Sequence, residues 1–382
     1  MLPFARMLEY GNIRPEPADR IRMFSVGYSH LVLVDNETNI LYTQGRGGEY
    51  QLGTGNNSAS DGWIQSLTGV RYAWACEFGS LVLKLDGTWW YCGEVAAIGS
   101  GNINVYNQTW TDISTKFSAF SIYDFSTLEL DKIKVSGSRY GTHFVIDGVM
   151  YGFGLNSFGF LGQGNGTAIS NVTKLSNLVV DDFVRSTLDG TSYFISAGVV
   201  YGAGRNTYGT LGLGNTTQTL TYTAIPNSTG AISIGCGDMS LKVYKSLELW
   251  QSGNNSNGQL GNGATDGVNL TTLTKTADLS SYTDIYNSTH YTYRSLVSII
   301  DGVYWYSGYN INGRLGNGNS TQVTTLTQMQ LAPDIINVTG IFQINGNTYI
   351  TVKDKIYASG ARSGIPDASG SVLNFSLVPL PF

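Results

Sequence analysis

The sequence is poor in charge for its length. Asp, Glu, Lys and Arg make up 13% of its 382 residues, and the formal net charge is −5 without any basic stripe. Binding to a phosphate backbone depends on clustered Lys and Arg that displace counterions. We therefore expect no direct nucleic-acid ligand. The surface must instead consist largely of Ser, Thr, Asn and Tyr.

Cysteine, histidine and long apolar runs are also scarce. Three cysteines and three histidines are scattered without the spacing of a disulfide framework or a zinc site, so we expect no metal and no cofactor. No apolar run reaches the roughly 18 residues that a membrane helix needs. The first residues lack the apolar centre of a secretory signal. We expect no membrane insertion, and a chain that either stays in the cytoplasm or leaves it by another route.

Motifs of common enzymes are missing as well. The sequence has no phosphate-binding Walker loop, no G-x-S-x-G elbow and no paired carboxylates in a recurrent context. Its glycine-rich L-G-x-G segments recur through the chain and are expected to be turns. These observations predict a protein that is not an enzyme.

What the sequence does contain is one repeat copied seven times. Each copy ends in a short motif such as YTQG or YGFG, whose last glycine serves as an anchor. The anchors are Gly45, Gly93, Gly154, Gly204, Gly253, Gly308 and Gly360. Three residues before each anchor stands a large aromatic, for which we predict a structural role between neighbouring units. These aromatics are Tyr42, Trp90, Tyr151, Tyr201, Trp250, Trp305 and Tyr357.

The repeat predicts β-hairpins arranged in a ring. Asp147-Gly148 in THFVIDGVMYGFG is a strong signal for a two-residue hairpin turn between short β-prone runs. Repeats of this length with a hairpin each are typical of propeller blades, because stacking around a ring buries every sheet face. The fold class expected is therefore all-β, a seven-bladed β-propeller.

The segments after the anchors carry a family resemblance. Four copies read GLNSFGFLGQG, GRNTYGTLGLG, GNNSNGQLGNG and GYNINGRLGNG, beginning at Gly154, Gly204, Gly253 and Gly308. The pattern G-x-N-x-x-G-x-L-G-x-G is similar to that of propellers of the regulator of chromosome condensation type. Copies one, two and seven depart from it. The resemblance implies a propeller over nearly the whole chain, but a fold of this kind does not fix an activity.

The domain boundaries follow from the repeat. Residues 1–20 are expected to be a lead-in or attachment segment, and residues 21–382 the propeller. The 61-residue spacing between Gly93 and Gly154 predicts an insertion at about 102–131. The apolar tail at 372–382 is expected to close the ring by completing the first blade.

Two aromatic segments interrupt the regular repeat and are candidate binding surfaces, since Tyr, Trp and Arg are common interface anchors. An equally weighted alternative is that these residues are strand residues packed against the next blade. The candidate binding residues are Tyr106, Trp110, Phe117 and Tyr123 in the first segment, and Tyr286, Tyr291, Tyr293 and Arg294 in the second.

Together these features favour a binding or assembly module with protein partners. The low charge and the abundant Tyr, Asn, Ser, Thr and Gly resemble the composition of phage virion proteins. The leading hypothesis is a virion surface or tail component that contacts other virion proteins or a host receptor. Two alternatives stay open: a cytoplasmic scaffold or exchange-factor-like regulator, and a glycan-binding lectin. A homo-oligomer or other symmetric assembly is compatible with each of them.

Overall fold

The computed structural model describes residues 20–186, 190–237, 239–264, 267–279, 285–287, 294–344, 346–361 and 371–382. Their strands form seven antiparallel sheets of four strands each. The first strands of successive blades contact one another, which places them nearest the axis of the ring. The predicted seven-bladed β-propeller is confirmed. The predicted lead-in lies outside the described residues, apart from Arg20.

Each blade consists of four consecutive strands. Blade 1 contains β1 (Ile21–Val26), β2 (His30–Asp35), β3 (Ile40–Gly45) and β4 (Ser60–Thr68). Blade 2 contains β5 (Val70–Ala75), β6 (Gly79–Lys84), β7 (Trp89–Glu94) and β8 (Tyr106–Asp112). Blade 3 contains β9 (Ile133–Gly137), β10 (Gly141–Ile146), β11 (Val149–Gly154) and β12 (Ile169–Lys174). Blade 4 contains β13 (Asp182–Ser186), β14 (Thr191–Ser196), β15 (Val199–Gly204) and β16 (Thr219–Ala224).

The remaining blades follow the same order. Blade 5 contains β17 (Ala231–Cys236), β18 (Ser240–Lys245), β19 (Glu248–Gly253) and β20 (Leu270–Asp278). Blade 6 contains β21 (Ile285–Asn287), β22 (Ser295–Ile300), β23 (Val303–Gly308) and β24 (Val323–Gln330). Blade 7 contains β25 (Gly340–Ile344), β26 (Asn347–Val352), β27 (Lys355–Gly360) and β28 (Val372–Leu377).

Helical structure in the described chain is limited to short 3₁₀ turns at Val95–Ile98, Ser114–Phe120, Leu130–Lys132 and Ile311–Gly313. None of these described helices is long and apolar enough to cross a membrane.

The sequence had suggested that the C-terminal strand completes the first blade. This prediction is wrong, because the strand belongs to the last blade. β28 pairs with β27, and β4 already gives blade 1 its fourth strand. The ring closes instead through side chains and the residues after β28. Trp63 in β4 donates from its indole nitrogen to the carbonyl oxygen of Pro379 over 2.9 Å. One carboxylate oxygen of Asp354 accepts from the backbone nitrogens of Arg20 and Ile21 at 2.6 and 2.9 Å.

The seven repeated aromatics lie on the third strand of their blades. Tyr151 and Tyr357 are buried, and the other five are half-buried against the hydrophobic core. The residue before each aromatic is buried even more completely, because it points to the opposite face of the strand. These inner residues are Leu41, Trp89, Met150, Val200, Leu249, Tyr304 and Ile356, none more than 2% exposed.

The asparagine of the repeat signature fixes the loop that follows the third strand. In blade 4, the buried Asn206 side chain accepts from the Leu211 backbone nitrogen at 2.8 Å and donates to the Asn215 carbonyl at 2.9 Å. Asn156, Asn255 and Asn310 make the same pair of contacts in their own blades. A buried amide that satisfies two backbone groups explains why this position recurs.

The L-G-x-G segment joins each loop to the next blade, and we call it the interblade latch. In the latch of blade 3, a side-chain carbon on Gly162 would lie 2.2 Å from the ring of Tyr222 in β16, so only glycine fits. The nitrogen of Gly164 then donates to the carbonyl of Leu220 over 2.8 Å. Equivalent backbone bonds are made by Gly55, Gly214, Gly263 and Gly318. Besides reversing the chain, the latch therefore binds the outer strand of its neighbour.

Candidate functional site

The two faces of the ring differ in their connections. Strands one and three of each blade run toward one face, which carries the longer loops, for example residues 27–29 and 46–59 in blade 1. We call this the loop face. The opposite face carries the tight turns and the connections between blades, such as residues 36–39 and Gly69, and we call it the turn face.

Charged side chains divide unequally between the faces. Eight of the ten lysines lie at the turn face. Lys242 is buried on β18, and the half-buried Lys116 donates to the carbonyl of Ser170 near the loop-face end of β12, over 3.1 Å. Apart from Lys116, the cations of the loop face in the described residues are arginines: Arg46, Arg139, Arg205, Arg294 and Arg314. The acids there are Glu49, Asp61, Glu77 and Glu94. The loop face is thus sparsely charged and poor in lysine, and Lys116 lies at its rim against the outer strand of blade 3.

Half-buried aromatic rings alternate with arginines across the loop face of blades 1 to 4. The Tyr28 and Phe78 rings meet edge to face at 5.8 Å, and the Arg139 guanidinium lies 5.3 Å from the Phe78 ring. The next residue, Tyr140, meets Phe158 at 5.6 Å, and the Arg205 guanidinium lies 3.9 Å above that ring. We call this row the aromatic–arginine stripe; it comprises Tyr28, Phe78, Arg139, Tyr140, Phe158 and Arg205.

Two buried glutamates fix Arg139 within the stripe. Glu94 accepts from the guanidinium of Arg139 with both oxygens, at 2.9 and 3.1 Å, and these hydrogen bonds raise the pKa of Arg139. Glu77 accepts from the Arg139 backbone nitrogen at 2.8 Å. Burial raises the pKa of Glu77 to about 7, since desolvation disfavours the charged carboxylate. A bidentate ion pair of this kind orients a guanidinium before any partner arrives.

Two predicted binding residues lie on the outer strand of blade 2. Tyr106 is half-buried, and its ring lies 5.7 Å from that of Tyr50. Trp110 covers Gly53 of the preceding latch and donates from its indole nitrogen to the Ser66 hydroxyl over 2.9 Å. Trp110 is therefore part of a blade-to-blade contact, which is the alternative that the sequence left open.

The predicted insertion divides into two parts that both belong to the propeller body. Residues 106–112 are the regular fourth strand of blade 2, and residues 113–132 pack between blades 2 and 3. Phe117 is only 6% exposed, so it is unavailable to a partner. The half-buried Tyr123 has its hydroxyl 3.2 Å from that of Tyr151. Phe117 and Tyr123 thus pack between blades, as in the alternative that the sequence left open.

The second predicted segment is described only at its edges. Tyr291 and Tyr293 lie outside the described residues, and so does the side chain of Tyr286, whose backbone belongs to β21. Arg294 lies on the loop face, where its carbonyl accepts from the Tyr309 backbone nitrogen over 2.9 Å.

Sequence reasoning missed the stripe because it aligned the copies on the third strand. Alignment on the start of the second strand brings Tyr28-Ser29, Glu77-Phe78 and Arg139-Tyr140 to the same two positions. That alignment would have revealed a loop enriched in aromatic and charged residues.

The described residues offer no evident metal centre. No three His, Cys, Asp or Glu side chains among them come together as ligands. Cys76, Cys92 and Cys236 are buried free thiols, and burial raises the pKa of Cys76 to about 12. His30 is buried beside the Ser80 hydroxyl, and burial lowers its pKa to about 3. Cys76 and His30 therefore stay neutral at physiological pH and serve packing.

Comparison with known proteins identifies the fold. No family model matches the sequence, and no curated protein matches it. Among solved structures, human WBSCR16 is 16% identical with a TM-score of 0.70, covering 90% of this chain and 94% of that one. Yeast RCC1 (Prp20) bound to Kap60 is 14% identical with a TM-score of 0.71, covering 99% and 89%. A second structure of Prp20p from Saccharomyces cerevisiae is 15% identical with a TM-score of 0.71, covering 91% and 87%. The chain has an RCC1-like propeller fold.

Proposed function

We propose that this protein is a non-enzymatic binding module that docks a protein partner on its loop face. The observation that carries the proposal is the aromatic–arginine stripe, whose two cations, Arg139 and Arg205, are both arginines. The cores of protein interfaces are enriched in aromatics and arginine and depleted in Lys, Asp and Glu. Arginine and aromatic rings also dominate binding hot spots, because they bury large areas at low entropic cost.

The similar propellers support protein partners in general. Yeast RCC1 (Prp20) was crystallised with Kap60, and the other Prp20p structure was reported with its binding to Gsp1p and histones. These partners belong to that protein. For the present chain, they favour a scaffold or exchange-factor-like regulator over the other two functions that the sequence left open, a virion component and a glycan-binding lectin.

The second candidate function is that of a virion surface or tail component. The charge-poor composition, 13% Asp, Glu, Lys and Arg, supports it. Co-purification distinguishes the two candidate functions. A virion component remains with particles through density-gradient centrifugation, at a fixed number of copies per particle. A scaffold or regulator remains in the soluble cell fraction with its partner.

Replacing Phe158 and Arg205 together by alanine should weaken partner binding at least about tenfold, since hot-spot side chains supply most of the binding energy. The measurement is surface plasmon resonance with a partner first isolated on the wild-type chain from its native source. Lys245→Ala is a matched control, because the Lys245 ammonium lies 3.7 Å above Trp250 on the turn face. Wild-type affinity in the double variant, or loss in Lys245→Ala alone, would reject docking on the loop face.

A further inference from the structure

A shallow cavity of about 360 Å³ lies between the loop of blade 6 and the outer strand of blade 7. It opens on the loop face, away from the aromatic–arginine stripe. The residues that line it are Tyr309, Asn310, Ile311, Asn312, Ser320, Gln322, Ser371 and Leu373. All of them are uncharged, and they combine one aromatic ring, two aliphatic side chains, three amides and two hydroxyls.

Two lining residues depart from the repeat, and the internal copies show that the fold does not require them. The position of Tyr309, one after the anchor glycine, holds Leu155, Arg205 and Asn254 in the other three complete copies. The position of Ile311 holds serine or threonine in those copies. Ile311 is nevertheless 45% exposed, so it gains little from burial in this structure. Ile311 and Leu373, which is 38% exposed, together give the cavity an apolar side that is open to solvent.

The polar groups around Tyr309 retain hydrogen-bonding capacity. Within the described chain, the side chains of Asn312, Ser320, Gln322 and Ser371 form no hydrogen bond and are open to solvent. Asn310 differs, because its side chain accepts from the Leu315 backbone nitrogen and donates to the Asn319 carbonyl. Its amide therefore stabilises the loop. Two amides and two hydroxyls therefore share the cavity lining with one half-buried ring, and each amide can both donate and accept.

This combination matches the chemistry of a neutral sugar. A pyranose presents an apolar face of C–H groups that stacks on an aromatic ring, while its hydroxyls pair with amides and hydroxyls at the rim. Among the described residues, the lining offers no charge to a phosphate or carboxylate. Arg314 is 2% exposed and lies 5.0 Å from the Tyr309 ring centroid, but it does not line the cavity. We propose that the cavity beside Tyr309 is a binding site for an uncharged carbohydrate, independent of the protein-docking stripe.

The test uses the full-length chain and saturation-transfer difference NMR. The probes are glucose, galactose, mannose, N-acetylglucosamine and their neutral β-linked disaccharides at millimolar concentration, with glucuronate as a charged comparison. We expect saturable transfer to the ring C–H protons of at least one neutral probe. Tyr309→Leu and Ile311→Ser should each reduce that signal at least about tenfold, since the first removes the stacking ring and the second removes the exposed apolar contact beside it. Tyr208→Ala, which removes a half-buried tyrosine from the loop of blade 4, should leave the signal unchanged.

Three outcomes overturn the proposal: no transfer to any neutral probe, transfer that survives both substitutions, or stronger transfer to glucuronate. Both cavity variants introduce residues that other blades carry at the same position, so we expect their melting temperatures to match the wild type. Should one of them unfold, Gln322→Ala removes an exposed amide of the same cavity and must reduce the signal instead. Failure of this test leaves the loop-face docking proposal standing, because the stripe variants do not touch the cavity.

Discussion

Replacement of Phe117 by alanine should lower the free energy of unfolding by about 3 to 5 kcal/mol, the usual cost of emptying a buried phenylalanine site. The Phe117 ring stacks on Trp89 of blade 2 with centroids 4.9 Å apart and planes within 4° of parallel. Its edges also meet Phe144 and Phe153 of blade 3, each at 5.6 Å. The substitution therefore leaves a cavity between blades 2 and 3, where residues 113–132 pack.

Urea unfolding followed by tryptophan fluorescence measures the effect, since Trp74 and Trp89 lie in the same cluster. Ile122→Ala is the matched control, because Ile122 belongs to the same segment but is 77% exposed. It should change stability by less than about 0.5 kcal/mol. Equal unfolding midpoints for Phe117→Ala and the wild type would mean that residues 113–132 are a detachable loop.

Replacement of Lys242 by leucine should stabilise the protein by about 3 kcal/mol at neutral pH. Lys242 is 1% exposed on β18, its ammonium has no hydrogen-bond partner among the described residues, and burial lowers its pKa from 10.5 to about 8. The corresponding positions in other blades hold hydrophobic residues such as Val32, Leu81 and Val297. Leucine therefore suits the site in shape and removes an uncompensated charge.

The pH dependence gives an independent check on Lys242. Between pH 8 and 10.5 the unfolded chain keeps the proton that the folded chain has lost, so unfolding takes up a proton. The wild type should thus gain stability over this range relative to Lys242→Leu, and the difference between the two proteins should shrink toward zero. Subtracting the two curves removes the contribution of the buried tyrosines.

The control for this measurement is Lys355→Leu, which replaces an exposed lysine at the turn face. Its stability should run parallel to that of the wild type at every pH. A Lys242→Leu variant that is less stable than the wild type at pH 7 would show that the ammonium has compensating contacts, and it would contradict the expected gain.

The number of blades could be predicted from the sequence because it depends on local features. Each blade carries its own signals within a short stretch of sequence. These are a tight turn such as Asp147-Gly148 and an aromatic three residues before the anchor glycine. The role of the latch could not be predicted in this way. Gly162 recurs because of Tyr222, which lies about sixty residues away on another blade. Likewise, nothing local shows that β28 pairs with β27 while Pro379 contacts Trp63.

The functional residues were harder to predict for a related reason. Aromatic runs attract attention in a sequence, yet Phe117 is buried and Trp110 is committed to a neighbouring blade. The stripe is assembled from pairs far apart in the chain, such as Tyr28 with Phe78 and Phe158 with Arg205. Only the ring brings these pairs onto one face, so spacing along the sequence carries little information about them.

Selective chemical modification tests the docking face most directly, because the stripe contains two arginines and no lysine. Acetylation of all accessible amines should leave partner binding unchanged, whereas modification of arginines with phenylglyoxal should abolish it, with circular dichroism confirming that both products stay folded. This contrast follows from Arg139 and Arg205 being the cations of the stripe. Loss of binding after acetylation, with full binding after arginine modification, would place the partner on the turn face and contradict the proposed function.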